Sequence, residues 1–118
     1  MKARSINVQK NIQKRVQPIL LTPDEARDKQ AELLVIDVQN PKYITSTIPE
    51  AQRLNVDISL KDIARSQPIL VTCLSGQRSF TVAQQLIQRS YCKVYVLKGG
   101  LMAWIRAGHT AWLTKIPT

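Results

Sequence analysis

Residues 69–79 read Ile69-Leu70-Val71-Thr72-Cys73-Leu74-Ser75-Gly76-Gln77-Arg78-Ser79, and their pattern is the most informative feature of the sequence. An apolar, partly β-branched run ends at a cysteine, and a small polar loop then leads into a helical pattern. Such a turn predicts a thiol at the end of a strand, with loop amides and a helix N-terminus directed at it. Because these groups and Arg78 favour a negative charge, we expect Cys73 to ionise readily and to act as a nucleophile. The alternative is an inert thiol in the core.

Strand and helix patterns alternate on both sides of this stretch. The strand candidates are residues 18–21, 33–36, 53–55, 69–72 and 94–97. The helix candidates are residues 22–30, 40–43, from 57 or 59 to 65, 79–89 and 101–107. This alternation predicts an α/β fold with a mostly parallel central sheet of about five strands and helices on both faces. Active sites in such sheets gather at the carboxyl ends of the strands, which is where Asp37 and Cys73 lie.

Composition excludes several classes of protein. The 118 residues, 44% of them hydrophobic, suit one globular domain with a core. No apolar stretch approaches the roughly 20 residues that span a bilayer, and no apolar segment of a secretory signal follows the basic N-terminus. The sequence has two cysteines, Cys73 and Cys92, and one histidine, His109. This set fits neither a disulfide framework nor a structural zinc site. We therefore expect a cytoplasmic protein that holds no metal.

The net charge of +9 is concentrated near the N-terminus. The first fifteen residues contain no acid and five basic residues, which are Lys2, Arg4, Lys10, Lys14 and Arg15. We interpret residues 1–17 as a basic extension and residues 18–118 as the folded domain. The extension either binds an acidic partner or polyanion through residues 1–16, or is solvated and aids solubility. It has no aromatic residues on which bases could stack.

Five motifs, taken in their order and spacing, resemble the single-domain rhodaneses, a family of sulfurtransferases, over roughly residues 18 to 108. They are Leu34-Val35-Ile36-Asp37-Val38, Tyr43, Ile48-Pro49-Glu50-Ala51, the loop from Cys73 to Arg78, and Gly99-Gly100-Leu101-Met102-Ala103-Trp104. The resemblance implies that Cys73 takes the outer sulfur of thiosulfate or of a persulfide donor. The resulting Cys73 persulfide would pass this sulfur to a thiophilic acceptor without a metal or other cofactor.

The resemblance also assigns roles around the thiol. The active-site loop and donor-binding residues would be Leu74, Ser75, Gly76, Gln77, Arg78 and Ser79. We expect Arg78 either to hold the loop or to bind the donor, and Ser79 to cap the following helix. Asp37 would support the site, more as a structural cap of loop amides than as a participant. The six-residue loop is typical of the sulfurtransferases, whereas related phosphatases and arsenate reductases have one residue more.

Besides Ser46 and Glu50, which stand where the family usually has glycine, three positions depart from the family pattern. Gln39 stands where the family commonly has arginine, Thr47 stands where it has histidine, and Leu74 replaces a frequent basic residue. The first two departures leave Asp37 with fewer evident partners. The third lowers the positive charge of the loop, so we expect weak binding of the thiosulfate dianion and better use of a less charged persulfide.

Other functions remain open at this point. The chain could be a weakly active or inactive rhodanese-like binding module that docks a partner through its basic surface. It could also be an adaptor whose basic extension lets it dock on, or deliver sulfur to, a nucleic acid or an acidic protein, or, more remotely, a cysteine phosphatase. Among the remaining residues, we expect Cys92 in the core, Trp104 and Trp112 in packing roles, and His109 at the surface.

Overall fold

The computed structural model describes residues 17–113, which form a parallel sheet flanked by helices. In chain order the elements are β1 (Ile19–Leu21), α1 (Pro23–Lys29), β2 (Leu34–Asp37), β3 (Ser46–Thr47), β4 (Gln52–Arg53), β5 (Ile69–Thr72), α2 (Gln77–Gln88), β6 (Val94–Leu97), α3 (Gly100–Arg106) and β7 (Trp112–Leu113). The basic extension expected over residues 1–17 lies outside the described residues, apart from its last position. No helix within residues 17–113 has the length and apolarity needed to cross a membrane.

The sheet has five parallel strands in the order β1-β6-β5-β2-β4, as the α/β prediction required. β5 is the central strand, and its last residue, Thr72, pairs with Asp37 at the end of β2. The Val38 amide extends this ladder by donating to the Thr72 carbonyl at 2.8 Å. The chain segments that follow β2 and β5 therefore leave the same edge of the sheet side by side.

Each face of the sheet covers its own hydrophobic core, because successive side chains of a strand point to opposite faces. Along β5, Ile69 and Val71 join the core beneath α2, while Leu70 joins the core beneath α1 and α3. Residues such as Ile36 and Val71 are completely buried. Full burial of a side chain of this size stabilises a fold by roughly 1.5–3 kcal/mol. These two cores fix the direction in which β2 and β5 present their carboxyl ends.

The start of α1 agrees with the prediction from sequence. Thr22 caps the helix by accepting the Glu25 amide at 3.2 Å, and the Glu25 carboxylate accepts the Thr22 amide at 2.9 Å. Pro23 occupies the first turn, where its missing N–H has no cost. This reciprocal pair also lowers the pKa of the Glu25 carboxyl, chiefly through the hydrogen bond from the Thr22 amide.

Two predicted helices are wrong. Residues 40–43 form a turn instead. The Asn40 side-chain oxygen accepts the Lys42 amide at 3.0 Å, and the Asn40 backbone carbonyl accepts the Tyr43 amide at 3.0 Å. A side chain that satisfies the local backbone in this way competes with helix formation. Residues 57–65 contain only a 3₁₀ turn at Leu60–Asp62. Before this turn, the Asp57 carboxylate accepts the Arg53 amide at 2.8 Å. The turn that this bond closes follows β4, which ends at Arg53 rather than at the expected Asn55.

Two further expectations are corrected by the surface of the molecule. Cys92 is exposed rather than part of the core. Trp112 is 52% exposed and pairs through its backbone with Thr47, in the small antiparallel sheet of β3 and β7 that periodicity did not reveal. Trp104 is 1% exposed, as predicted for a packing residue. His109, which was expected at the surface, is half-buried, because its ring centroid lies 4.7 Å from that of Trp104 at an interplanar angle of 44° and its Nε2 lies 2.8 Å from Asp24 Oδ1.

Candidate active site

Cys73 is the first residue after the central strand and is 3% exposed. The active-site loop, residues 73–78, turns back so that the start of α2 faces the sulfur. The Gly76 amide donates to Cys73 Sγ at 3.1 Å and the Ser79 amide donates at 3.3 Å. Amides in the first turn of a helix have no acceptor within the helix, so the thiol provides one. Gly76 has a φ of 105°, which strongly favours glycine over residues with a side chain.

Ser79 has a different role from the helix cap that the sequence suggested. The residue at the cap position is Gly76, and Ser79 lies one turn in with its side chain fully buried. Its Oγ is 3.3 Å from Cys73 Sγ and donates to the Gly76 carbonyl at 3.0 Å. The protonated thiol therefore donates to this hydroxyl. When the thiol ionises, rotation of the hydroxyl hydrogen turns the same contact into a bond to the thiolate.

Two opposing effects set the acidity of Cys73. Burial is the largest and raises the pKa of the thiol, because the thiolate loses water. Hydrogen bonds from the Ser79 side chain and from the amides of Ser79, Gly76 and Ser75 favour the thiolate. Together these bonds outweigh burial, so the pKa of Cys73 lies below its ordinary value of 9.0. The site therefore holds a thiol with increased thiolate character.

The N-terminus of α3 holds the carbonyl side of the active-site loop. The Leu101 amide donates to the Cys73 carbonyl at 2.8 Å and the Met102 amide donates to the Leu74 carbonyl at 3.1 Å. This approach requires glycine at position 100, since a Cβ there would lie 2.5 Å from the Leu74 carbonyl oxygen and 2.6 Å from that of Cys73. The Gly99-Gly100 motif thus allows α3 to support the loop.

A pocket of about 200 Å³ opens above the thiol. One wall comes from the active-site loop and the other from the segment that follows β2. Its lining residues are Gln39, Asn40, Tyr43, Cys73, Leu74, Ser75 and Arg78. No acidic residue lines it within the described part of the chain, and its apolar walls include Leu74, 53% exposed, and Tyr43, 77% exposed. Gln77 lies outside this pocket, in an adjacent groove with Gly76.

Arg78 contributes the one cationic side chain of the pocket lining. Within residues 17–113 its guanidinium makes no hydrogen bond and no ion pair, and the residue is exposed. In the part of the chain that the structure describes, Arg78 therefore makes no side-chain contact of the kind expected of a residue that holds the loop.

Asp37 has more partners than the sequence suggested. Its carboxylate is buried and accepts the Gln39 amide at 2.8 Å, the Gln39 side-chain amide at 2.8 Å and the Thr47 hydroxyl at 2.5 Å. The expectation that Gln39 and Thr47 leave Asp37 with few partners is wrong, because these two residues supply the donors. Asp37 itself does not line the pocket.

Sequence reasoning missed the wall formed by Gln39, Asn40 and Tyr43 as part of the site. The available signal was their position directly after β2, at the edge of the sheet where Cys73 was expected. A larger cavity of about 890 Å³ lies between α1 and the end of α3, and no expected site residue lines it. Residues 17–113 bring no three His, Cys, Asp or Glu side chains together as metal ligands.

Comparisons with known proteins agree with this geometry. The family model for the rhodanese-like domain matches residues 22–107. A protein named sulfurtransferase from Allochromatium vinosum is 32% identical over 81 residues, which cover 65% of this chain and 76% of that protein. Residues 22–107, which the family model matches, include β2, β5, α2 and α3, the elements that position the pocket.

Solved structures share the fold at low sequence identity. A rhodanese-related protein from Thermoplasma volcanium matches with a TM-score of 0.70 and 23% identity, over 81% of this chain and 99% of that one. The polysulfide-sulfur transferase homodimer of Wolinella succinogenes matches with a TM-score of 0.67 and 14% identity, over 91% and 88% of the two chains.

Proposed function

The chain belongs to the rhodanese-like domain family, and on this premise we propose that it transfers a sulfane sulfur through a persulfide on Cys73. Similarity to a sulfurtransferase supports the reaction class. The observation that carries the proposal is the set of hydrogen-bonding groups around Cys73 Sγ. The amides of Gly76 and Ser79 donate to the sulfur, and the Ser79 hydroxyl, which accepts from the thiol, can turn to donate to the thiolate. These groups stabilise a buried anion on sulfur, and the reaction requires such an anion before and after each transfer.

In the first step the Cys73 thiolate attacks the outer sulfur of the donor. A bond forms between Cys73 Sγ and that sulfur while the sulfur–sulfur bond of the donor breaks. The electron pair of the broken bond leaves on the inner part of the donor, as a thiolate from a persulfide or as sulfite from thiosulfate. No external oxidant or reductant is needed, because the sulfane sulfur passes from one sulfur to another.

In the second step a thiophilic acceptor attacks the terminal sulfur of the Cys73 persulfide. The acceptor gains the sulfur, and the bonding electron pair returns to Cys73 as a thiolate. The hydrogen bonds from Gly76 and Ser79 stabilise this leaving group in the same way that they stabilise the nucleophile. The N-terminus of α2, a helix of twelve residues, adds a favourable dipole for the negative charge.

The pocket favours a donor with a small charge and an apolar body. Its lining offers one cation, Arg78, beside the apolar surfaces of Tyr43 and Leu74. Thiosulfate carries two charges and no apolar body, so it would leave most of this surface unused. We therefore propose a monoanionic persulfide as the preferred donor, in a reducing cytoplasm where Cys73 remains a free thiol.

Steady-state kinetics test the donor preference. We expect kcat/KM for an alkyl or aryl persulfide to exceed that for thiosulfate. Leu74→Lys should raise kcat/KM for thiosulfate by up to about fivefold, because this is the largest change in affinity expected from one exposed charge pair. Leu74→Met serves as the uncharged control. Equal use of both donors, with no effect of the lysine, would contradict the proposed donor class.

The reaction itself needs a separate test, since a rhodanese-like binding module would keep the fold without turnover. Sulfur transfer to cyanide, measured as thiocyanate, should be lost in Cys73→Ser and retained in Cys92→Ser. If the wild-type protein transfers no sulfur from thiosulfate or from any persulfide, the binding module becomes the better explanation.

The basic extension supports a proposal of its own that rests on composition. Five basic residues and no acid within the first fifteen positions would attract an acidic partner or polyanion. Removal of residues 1–16 should abolish salt-sensitive binding to heparin while leaving sulfur transfer intact. Binding that survives the truncation would place the determinant in residues 17–118.

A further inference from the structure

The 40–45 loop forms the wall of the pocket that lies opposite the active-site loop. It begins after Gln39, beyond the end of β2, and ends at β3 of the small antiparallel sheet, and its residues Asn40 and Tyr43 line the pocket. Both ends of this loop are hydrogen-bonded to a single buried carboxylate, that of Asp37.

Gln39 attaches the first end and also links it to the second. Its backbone amide donates to Asp37 Oδ1 at 2.8 Å, and its side-chain amide donates to Asp37 Oδ2 at 2.8 Å. The same side-chain nitrogen donates to the Ser46 carbonyl at 2.9 Å. Both hydrogens of the Gln39 amide are thereby used, and the two ends of the loop are held together.

Thr47 attaches the second end. Its hydroxyl donates to Asp37 Oδ2 at 2.5 Å, and its backbone pairs with Trp112 in the small sheet of β3 and β7. Asp37 is itself fixed, because it is 3% exposed and pairs with Thr72, the residue before Cys73. These bonds therefore define where the 40–45 loop stands relative to the thiol.

The Asp37 network, which consists of Asp37, Gln39, Ser46 and Thr47, shares no hydrogen bond with the groups that stabilise Cys73. The donors to Cys73 Sγ come from Gly76 and Ser79 at the start of α2. A change in the network should therefore move the pocket wall without changing the acidity of the thiol. This separation makes the role of the network measurable.

We propose that Gln39 and Thr47 are positioning residues that set donor specificity by holding Tyr43 at a fixed distance from Leu74. A donor with an apolar body packs between these two side chains, whereas compact thiosulfate reaches Cys73 without contacting both. The inference rests on the proposed sulfur transfer for its kinetic consequence, but the position of the wall has a readout that needs no sulfur transfer.

The kinetic test compares two substitutions of Thr47 with thiosulfate and with benzenethiosulfonate as donors, which pass their outer sulfur to Cys73 and leave as sulfite and as benzenesulfinate, respectively. Thr47→Val keeps the shape and removes the hydroxyl, and it should raise KM for the phenyl donor about fivefold, the effect of one net hydrogen bond. The KM for thiosulfate and both kcat values should stay near wild type. Thr47→Ser restores the hydroxyl and should restore the KM for the phenyl donor. Gln39→Met should change this KM in the same direction as Thr47→Val.

The second test measures alkylation of Cys73 by iodoacetamide and by N-phenyl iodoacetamide, with the products separated by peptide mass. We expect the ratio of phenyl to compact reagent at Cys73 to fall in Thr47→Val and to recover in Thr47→Ser. Exposed Cys92 is the internal reference, and its ratio should not change in any variant.

The two tests separate the inference from the proposed function. A wild-type protein that turns over neither donor, but whose alkylation ratio at Cys73 follows the Thr47 hydroxyl, would reject sulfur transfer and retain the positioned wall. A Thr47→Val variant with wild-type KM values and a wild-type alkylation ratio would overturn the role of the network. An equal change for both reagents at Cys73 would also overturn it, because that result indicates general loosening.

Discussion

Among single residues, Ser79 and Gly76 contribute most directly to the reactivity of Cys73, because their hydrogen bonds favour the thiolate. The strand, the loop and the thiol were predictable from residues 69–79. The inward direction of Ser79 was not, because serine is a favoured helix cap and Gly76 took that position through its positive φ. The helix therefore begins two residues earlier than predicted and presents Ser79 to the sulfur.

Removal of the Ser79 hydroxyl tests this assignment. In Ser79→Ala the thiolate loses its largest favourable hydrogen bond, so the pKa of Cys73 should rise. The pH midpoint for alkylation of Cys73 by iodoacetamide should accordingly move to higher pH. Ser75→Ala is the matched control, because within residues 17–113 the Ser75 hydroxyl makes no hydrogen bond to the sulfur and only the Ser75 amide favours the thiolate. Identical midpoints for wild type and Ser79→Ala would contradict the assignment.

Among the helices and strands, the features that depend on neighbouring residues in the sequence were the ones that could be predicted. The capping pair of Thr22 and Glu25 and the apolar runs of β2 and β5 were recognisable because each depends on nearby residues. The pairing of β3 with β7 and the hydrogen bonds of Asp37 to Gln39 and Thr47 depend on the folded path of the chain. Sequence patterns of period 2 or 3.6 contain no information about such contacts.

The contact between α3 and the active-site loop gives a prediction at this scale. Gly100→Ala places a Cβ within 2.6 Å of two loop carbonyl oxygens, whereas a Cβ at Gly108 would meet nothing within 4 Å. Both glycines have positive φ, so both substitutions share a backbone cost of about 1–2 kcal/mol. The steric clash should make Gly100→Ala worse by about a further 1–3 kcal/mol in the free energy of unfolding, measured by urea denaturation. Equal losses would show that α3 does not press on the loop.

At the scale of the whole molecule, ionisation of Cys73 links stability to pH. The pKa of Cys73 is lower in the folded protein than its ordinary value of 9.0, so the folded state binds fewer protons between these two values. The contribution of Cys73 to stability is therefore fully present above the ordinary pKa, and it is lost as pH falls through the folded pKa.

Comparison with Cys73→Ser makes this contribution visible. The free energy of unfolding of the wild type, minus that of Cys73→Ser, should increase with pH up to about pH 9 when both are measured by urea denaturation in a reducing buffer. The subtraction removes the titration of the other groups that both proteins share. A difference that stays constant or decreases over this range would contradict a stabilised thiolate.

The central claim, that Cys73 carries the transferred sulfur, has one direct test. Intact mass should be measured after the wild-type protein is incubated with a persulfide donor and the excess donor is removed. We predict a gain of one sulfur atom, located on Cys73 by peptide mass, which is absent in Cys73→Ser, persists in Cys92→Ser and is lost when cyanide is added. A protein that gains no sulfur from any persulfide donor or from thiosulfate, or that gains it only on Cys92, would contradict the account.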